Sequence, residues 1–176
     1  KMACEGLISS YCEGYGFEGY VFRFVSLLGP RYPHGHVFDF VKQLKENPNK
    51  LRVLGDGSQR KSYMHISDCI DAIFITAEKK RTALNSKHNY EVYHLGFPNY
   101  IKLSDSIGFI CDQMKLKPEL EFSGGDRGWI GDNPFVLLDV SKAQEQGWKP
   151  KYSIEYSIRE TVDWLNKNDW IFNTRT

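Results

Sequence analysis

Tyr20-Val21-Phe22-Arg23-Phe24-Val25-Ser26-Leu27-Leu28-Gly29-Pro30 is the stretch whose reading decides the fold. Its first six residues are β-branched or aromatic apart from Arg23, which predicts a buried strand, and Gly29-Pro30 stops the run and opens a loop. Upstream, Cys4, Ile8, Tyr11 and Tyr15 recur at helical spacing, so a helix feeds this strand. A helix followed by a buried strand is half of a βαβ unit. Lys1 stands directly on that helix without a capping residue, so the expectation is a chain cut inside a larger unit, with the other half upstream.

The chain has 176 residues, 41% apolar and 14% aromatic, which is enough to build one sizeable core. A formal net charge of +1 offers no electrostatic footing for nucleic acid or an anionic membrane. No apolar run approaches a membrane span and no secretory signal is visible. The four cysteines, Cys4, Cys12, Cys69 and Cys111, are scattered without a CxxC pair, which predicts reduced thiols in a cytoplasmic protein rather than disulfides or zinc.

Helices and short strands alternate from there on. Val37, Phe40, Val41 and Leu44 mark a helix ending before Asn47-Pro48-Asn49. Leu51 to Leu54 is a strand closed by Gly55-Asp56-Gly57, and Ser62 to Ile66 is another. Ser67 or Asp68 is expected to cap a helix with Ile70, Ile73, Phe74 and Ala77 inward. Val92 to Leu95 reads as a strand, Ser104 as the cap of a helix carrying Ile107, Ile110 and Met114, and Leu120 to Phe122 as a strand. Val136 to Leu138 leads through Asp139 into a helix near Ser141, which Gly147-Trp148-Lys149-Pro150 ends. Ser153 caps the last helix, with Ile154, Ile158, Val162 and Leu165 inward. No internal repeat is present, so one α/β unit is the simplest account.

Several of these pieces stand in the order of a known family. Arg23 to Pro30, Gly55-Asp56-Gly57-Ser58-Gln59 running into Tyr63-Met64-His65-Ile66-Ser67-Asp68, then Gly131-Asp132, Asp139-Val140-Ser141-Lys142-Ala143 and Gly147-Trp148-Lys149-Pro150 together resemble the C-terminal half of an extended short-chain dehydrogenase/reductase. The nucleotide-sugar epimerases and dehydratases are the most similar members, with UDP-glucose 4-epimerase as the pattern. The resemblance implies an α/β fold holding the last strands of a Rossmann-like doubly wound sheet plus a smaller substrate-binding subdomain. Residues 1–29 would end the NAD-binding domain, and residues 30–176 would mainly bind nucleotide sugar, with some elements returning to the sheet. It further implies NAD as cofactor and a homodimer paired through the first helix, where Leu7, Tyr11, Cys12 and Tyr15 offer apolar surface.

The same resemblance assigns candidate residues. Lys1 matches the lysine of the family's Tyr-x-x-x-Lys pair, whose ammonium favours a phenolate base and reaches the nicotinamide ribose. Phe24 and Leu27 fall on the cofactor side. The family tyrosine and glycine-rich turn are absent from these 176 residues, so the chain by itself is expected neither to bind NAD nor to turn over a sugar nucleotide. On the substrate side, Ser26 replaces an asparagine that bonds the diphosphate, and reads equally as a loop-capping serine. Lys61 replaces an arginine on the phosphates, meeting them as a point charge rather than a planar fork, and Ser62 replaces an aspartate. His36 and Val37 match positions lining pyrophosphate and sugar, Arg52 and Leu54 match the strand flanking the base, and Val136 faces the sugar.

The family's second phosphate arginine lands on Trp129, with Arg127 two residues earlier. Either the glycines around Arg127 let the loop bring it in, or that arginine is lost and Arg127 pairs on the surface. His34-Gly35-His36 lacks partners at zinc spacing, so no metal is expected. His65, Asp68 and Asp139 read as structural groups. The implied reaction is oxidation at sugar C4 by NAD and re-reduction on the other face. A 4,6-dehydratase, a decarboxylase or a non-catalytic nucleotide-binding member remain alternatives.

Overall fold

The computed structural model describes residues 1–82 and 89–174. The chain opens with α1 (Met2–Tyr15), β1 (Gly19–Phe24) and β2 (Ser26–Leu28), followed by α2 (His36–Glu46) and β3 (Lys50–Val53). β4 (Arg60–Lys61) and β5 (Tyr63–His65) run into α3 (Ile66–Thr82). β6 (Tyr90–Leu95), β7 (Ile101–Lys102), α4 (Leu103–Met114) and β8 (Glu119–Phe122) come next, then β9 (Phe135–Val136), α5 (Ser141–Glu145) and α6 (Ile154–Lys167).

Parallel pairing dominates, and parallel neighbours need crossover connections, which the intervening helices supply. β1 lies parallel to β6, from Gly19 opposite Tyr90 to Phe24 opposite Leu95. β2 lies parallel to β5, which sets Ser26 beside Tyr63. β3 pairs with β8. β4 sits between antiparallel β7 and parallel β9, with Lys61 beside Val136.

Two apolar clusters hold these layers. In the larger, α2, α4 and α6 bury Val41, Leu44, Ile110, Ile158, Val162 and Leu165 with Leu51 and Val53 of β3. In the other, Trp148 and Val140 pack with Val25, Met64, Tyr93 and Leu95. Each such side chain contributes about 1.5 to 3 kcal/mol through burial. α6 follows its sequence pattern: Ser153 Oγ accepts from Tyr156 N at 3.1 Å, and the expected apolar face is buried.

Three expectations are corrected. α3 starts at Ile66, and Ile70 and Phe74 are exposed; its buried positions include Asp68, Cys69, Ala72 and Thr76. Asp68 does not cap α3 but accepts from the backbone amides of Lys151 (3.0 Å) and Tyr152 (3.1 Å), while Trp148 Nε1 donates to its carbonyl at 2.9 Å. α4 starts at Leu103, so Ser104 lies inside it. The amides of Leu103 and Ser104 donate to the carbonyls of Gln59 (2.9 Å) and Gly57 (3.1 Å), so neighbouring backbone does the work of a capping side chain. Ahead of α5 the chain forms a short strand only at Phe135–Val136.

Candidate functional site

The end of β3, the loop into β4, α2 and the turn at residues 128–132 enclose a cleft of about 590 Å3. Arg52, Leu54 and Lys61 all line it, together with Asp39, Phe40, Gln43, Gln59, Tyr63, Leu103, Gly128 and Asp132. Gly55 makes the loop possible. Its φ is +85°, and a Cβ there would lie 1.9 Å from Gln59 Nε2. Gln59 is thereby held inward, donating to Leu54 O at 3.2 Å, while its Oε1 is buried with no hydrogen-bond partner among the described residues. A buried acceptor left unpaired is uncommon, and here it lies beside a ligand-sized cleft. Arg52 is fixed by its backbone: its amide donates to Gln43 Oε1 at 3.1 Å, and Gln43 Nε2 returns a bond to its carbonyl at 3.4 Å.

Lys61 extends from β4 into an ion pair with Asp132. The other Asp132 oxygen accepts from Gly128 N at 3.1 Å, so one carboxylate ties the turn at residues 128–132 to the lysine. Arg127, next to the lining Gly128, is exposed and has no ion-pair partner among the described residues. Trp129 follows on the same turn and is 65% exposed.

His36 and Val37 stand otherwise than expected. His36 Nδ1 is hydrogen-bonded to Tyr63 OH (3.2 Å) and its Nε2 to Ser106 Oγ (2.7 Å), so both ring nitrogens are engaged. Burial first, and then the charge of Lys61, pull the imidazole down to about 4, so it is neutral at neutral pH and brings no positive charge to a diphosphate. Burial also raises the Tyr63 phenol, keeping it a donor. Val37 is 0% exposed in the core, so its side chain offers nothing to a ligand.

The remaining candidates lie nearby. Phe24, Ser26 and Leu27 line a second cleft of about 430 Å3 with Gly29, Pro30 and Gly35. Tyr63, which lines the first cleft, is the ladder neighbour of Ser26 and connects the two. Val136 is half-buried beside Lys61. Lys1 is exposed at the head of α1 and lines neither of these clefts. His65, buried, donates from Nε2 to Glu160 at 2.5 Å, and Asp139 accepts from Ser141 N at 2.9 Å. Among the described residues no group of three or more His, Cys, Asp or Glu side chains is arranged to hold a metal ion.

The profile of the NAD dependent epimerase/dehydratase family matches residues 1–96. The chain belongs to that family. A dTDP-D-glucose 4,6-dehydratase of Mus musculus is 27% identical over 96% of this chain and 46% of its own length. A putative UDP-glucose 4-epimerase of Methanocaldococcus jannaschii is 24% identical over 96% of this chain and 52% of its own. The crystal structure of a UDP-galactose 4-epimerase superposes with a TM-score of 0.84 at 26% identity, covering 97% of this chain and 53% of that one. The chain thus spans about half the length of the curated relatives it matches.

NAD is the family's cofactor, and the second cleft fits one part of it. The exposed Phe24 ring, Leu27 and Pro30 give an apolar wall suited to a flat ring, and Ser26 lines the same cleft. The sequence register finds Arg52, Leu54 and Lys61 of the first cleft but overlooks Gln59, Tyr63 and Asp132. Asp132 serves there only as a landmark beside Gly131. A lone acid two residues after exposed apolar Trp129-Ile130 is the one signal that marks it.

Proposed function

We propose that the protein is a nucleotide-sugar epimerase acting through transient oxidation at C4 of a UDP-hexose, and that residues 30–176 supply most of the nucleotide-sugar grip. The observation that carries this reading is the convergence of Arg52, Leu54 and Lys61 in one cleft of about 590 Å3. That volume is on the scale of ligand pockets, and its wall combines an apolar side chain with two cations, as a base and a diphosphate require. In this reading Lys61 exchanges Asp132 for a phosphate oxygen, Arg127 adds a third cation from the adjoining turn, and Val136 beside Lys61 leaves room for the sugar. Ser26 donates one hydrogen bond where its cleft meets Tyr63. Lys1 would hold the family tyrosine, which is not among these 176 residues, toward its ionised form. When bound, NAD would supply hydride acceptance and return. Free thiols at Cys4, Cys12, Cys69 and Cys111 accord with a cytoplasmic setting.

Two large apolar residues of α1, Leu7 (61% exposed) and Tyr15 (71% exposed), support a homodimer through this helix. Light scattering of the protein at micromolar concentration should give twice the monomer mass; a monomer removes that part of the reading. A 4,6-dehydratase is the second reading, favoured by the similarity to the mouse dehydratase. Incubation with UDP-glucose and analysis of the product separates them: UDP-galactose supports epimerisation, and a 4-keto-6-deoxy sugar nucleotide supports dehydration. No conversion of any UDP-hexose, tested with the family tyrosine and glycine-rich turn present, would contradict both.

A further inference from the structure

We propose that Trp129 is a stacking platform for the nucleobase of a ligand seated in the Arg52–Lys61 cleft, an inference that rests on reading that cleft as a nucleotide site. The indole stands on a turn closed by Asp132 N donating to Trp129 O at 2.9 Å and anchored to Lys61 through Asp132. Gly128 and Asp132, on either side of it in the chain, both line the cleft while Trp129 is not itself part of the lining, which puts its turn at the rim. It is also seated. A Cβ on Gly131 would lie 2.2 Å from Trp129 Cζ3 and 2.4 Å from Cη2, so the ring lies against bare backbone that only glycine leaves open. The turn leans toward the base side of the cleft, since a Cβ on Gly128 would meet Leu54 Cβ at 3.5 Å. An indole positioned in this way is nevertheless 65% exposed, so most of its apolar area is open to a flat partner. Every nucleobase has a flat face that can cover such a ring, and a phosphate held at Lys61 would direct the base toward Leu54 and this rim.

The test is calorimetric titration of UDP and, separately, inorganic pyrophosphate into the wild type, Trp129→Ala, Trp129→Phe and Gly131→Ala. UDP affinity should fall roughly 10-fold in Trp129→Ala and in Gly131→Ala, which unseats the ring, with pyrophosphate affinity unchanged and Trp129→Phe close to wild type. Unchanged UDP affinity in Trp129→Ala overturns the platform and leaves the nucleotide site standing. Equal losses for UDP and pyrophosphate also overturn it, because they assign the ring to shaping the turn. A wild type that binds pyrophosphate no less tightly than UDP overturns the nucleotide reading, and the platform with it.

Discussion

Lys61 meets any anion already paired with Asp132, so a diphosphate has to displace a carboxylate before it reaches the ammonium. His36 sits close enough to sense that charge, and its behaviour gives a separate test. Its imidazole titrates at about 4, well below the ordinary histidine value of about 6.5. Below pH 6.5 the unfolded chain takes up a proton that the folded protein refuses, so this contribution to stability is complete above about 6.5 and is lost as the pH falls toward 4. The loss should amount to about 2 kcal/mol. Urea unfolding at pH 7 and pH 4.5 should show it in the wild type, and His36→Gln, which cannot take up the proton, should lack it. A parallel decline in both would assign the acid sensitivity to other groups. Arg52 and Lys61 are proposed from the family resemblance, whose landmark beside them, the Gly55-Asp56-Gly57 turn between two short strands, is local in sequence. His36 and Val37 are neighbours at the start of α2, and register alone does not tell a side chain facing the cleft from one facing the core.

Among the elements, α2 and α6 follow their sequence periodicity because each packs a wide apolar stripe into the larger cluster. α3 does not. It meets β1, β2 and β5 with Cys69, Ala72 and Thr76 buried and Ile73 and Ile75 packed partly buried beside them, and leaves Ile70 and Phe74 outside, so an apolar count finds only part of the inner face. Its tie to the rest of the fold is Asp68, whose carboxylate accepts two backbone amides ahead of α6. Asp68→Ala leaves both amides without an acceptor in a part-buried site and should cost about 2 to 4 kcal/mol, measured by urea unfolding. Ser153→Ala removes only the α6 cap and should cost about 1 kcal/mol. A loss for Asp68→Ala no larger than that for Ser153→Ala would mean that water replaces the carboxylate freely. The cap of α4 is hidden from sequence for a related reason: carbonyls of Gly57 and Gln59, distant along the chain, occupy its first-turn amides.

At the scale of the whole molecule, parallel ladders and crossover helices reproduce the α/β architecture that the first strand and its preceding helix announce, because buried strands and helical stripes are local in sequence. The cleft is not local. Its wall draws on α2, β3, β4 and the turn at residues 128–132, and the Lys61–Asp132 pair that fixes that turn spans 71 residues. No periodicity reports such a contact. The reading of the cleft as the place where a nucleotide diphosphate is held meets its most direct test in one calorimetric titration of UDP into the protein and its Lys61→Ala variant. Saturable UDP binding weakened roughly 10- to 100-fold by Lys61→Ala is expected, the loss of one desolvated charge-assisted contact. Equal UDP affinity in the two proteins, or no UDP binding by the wild type, would contradict it.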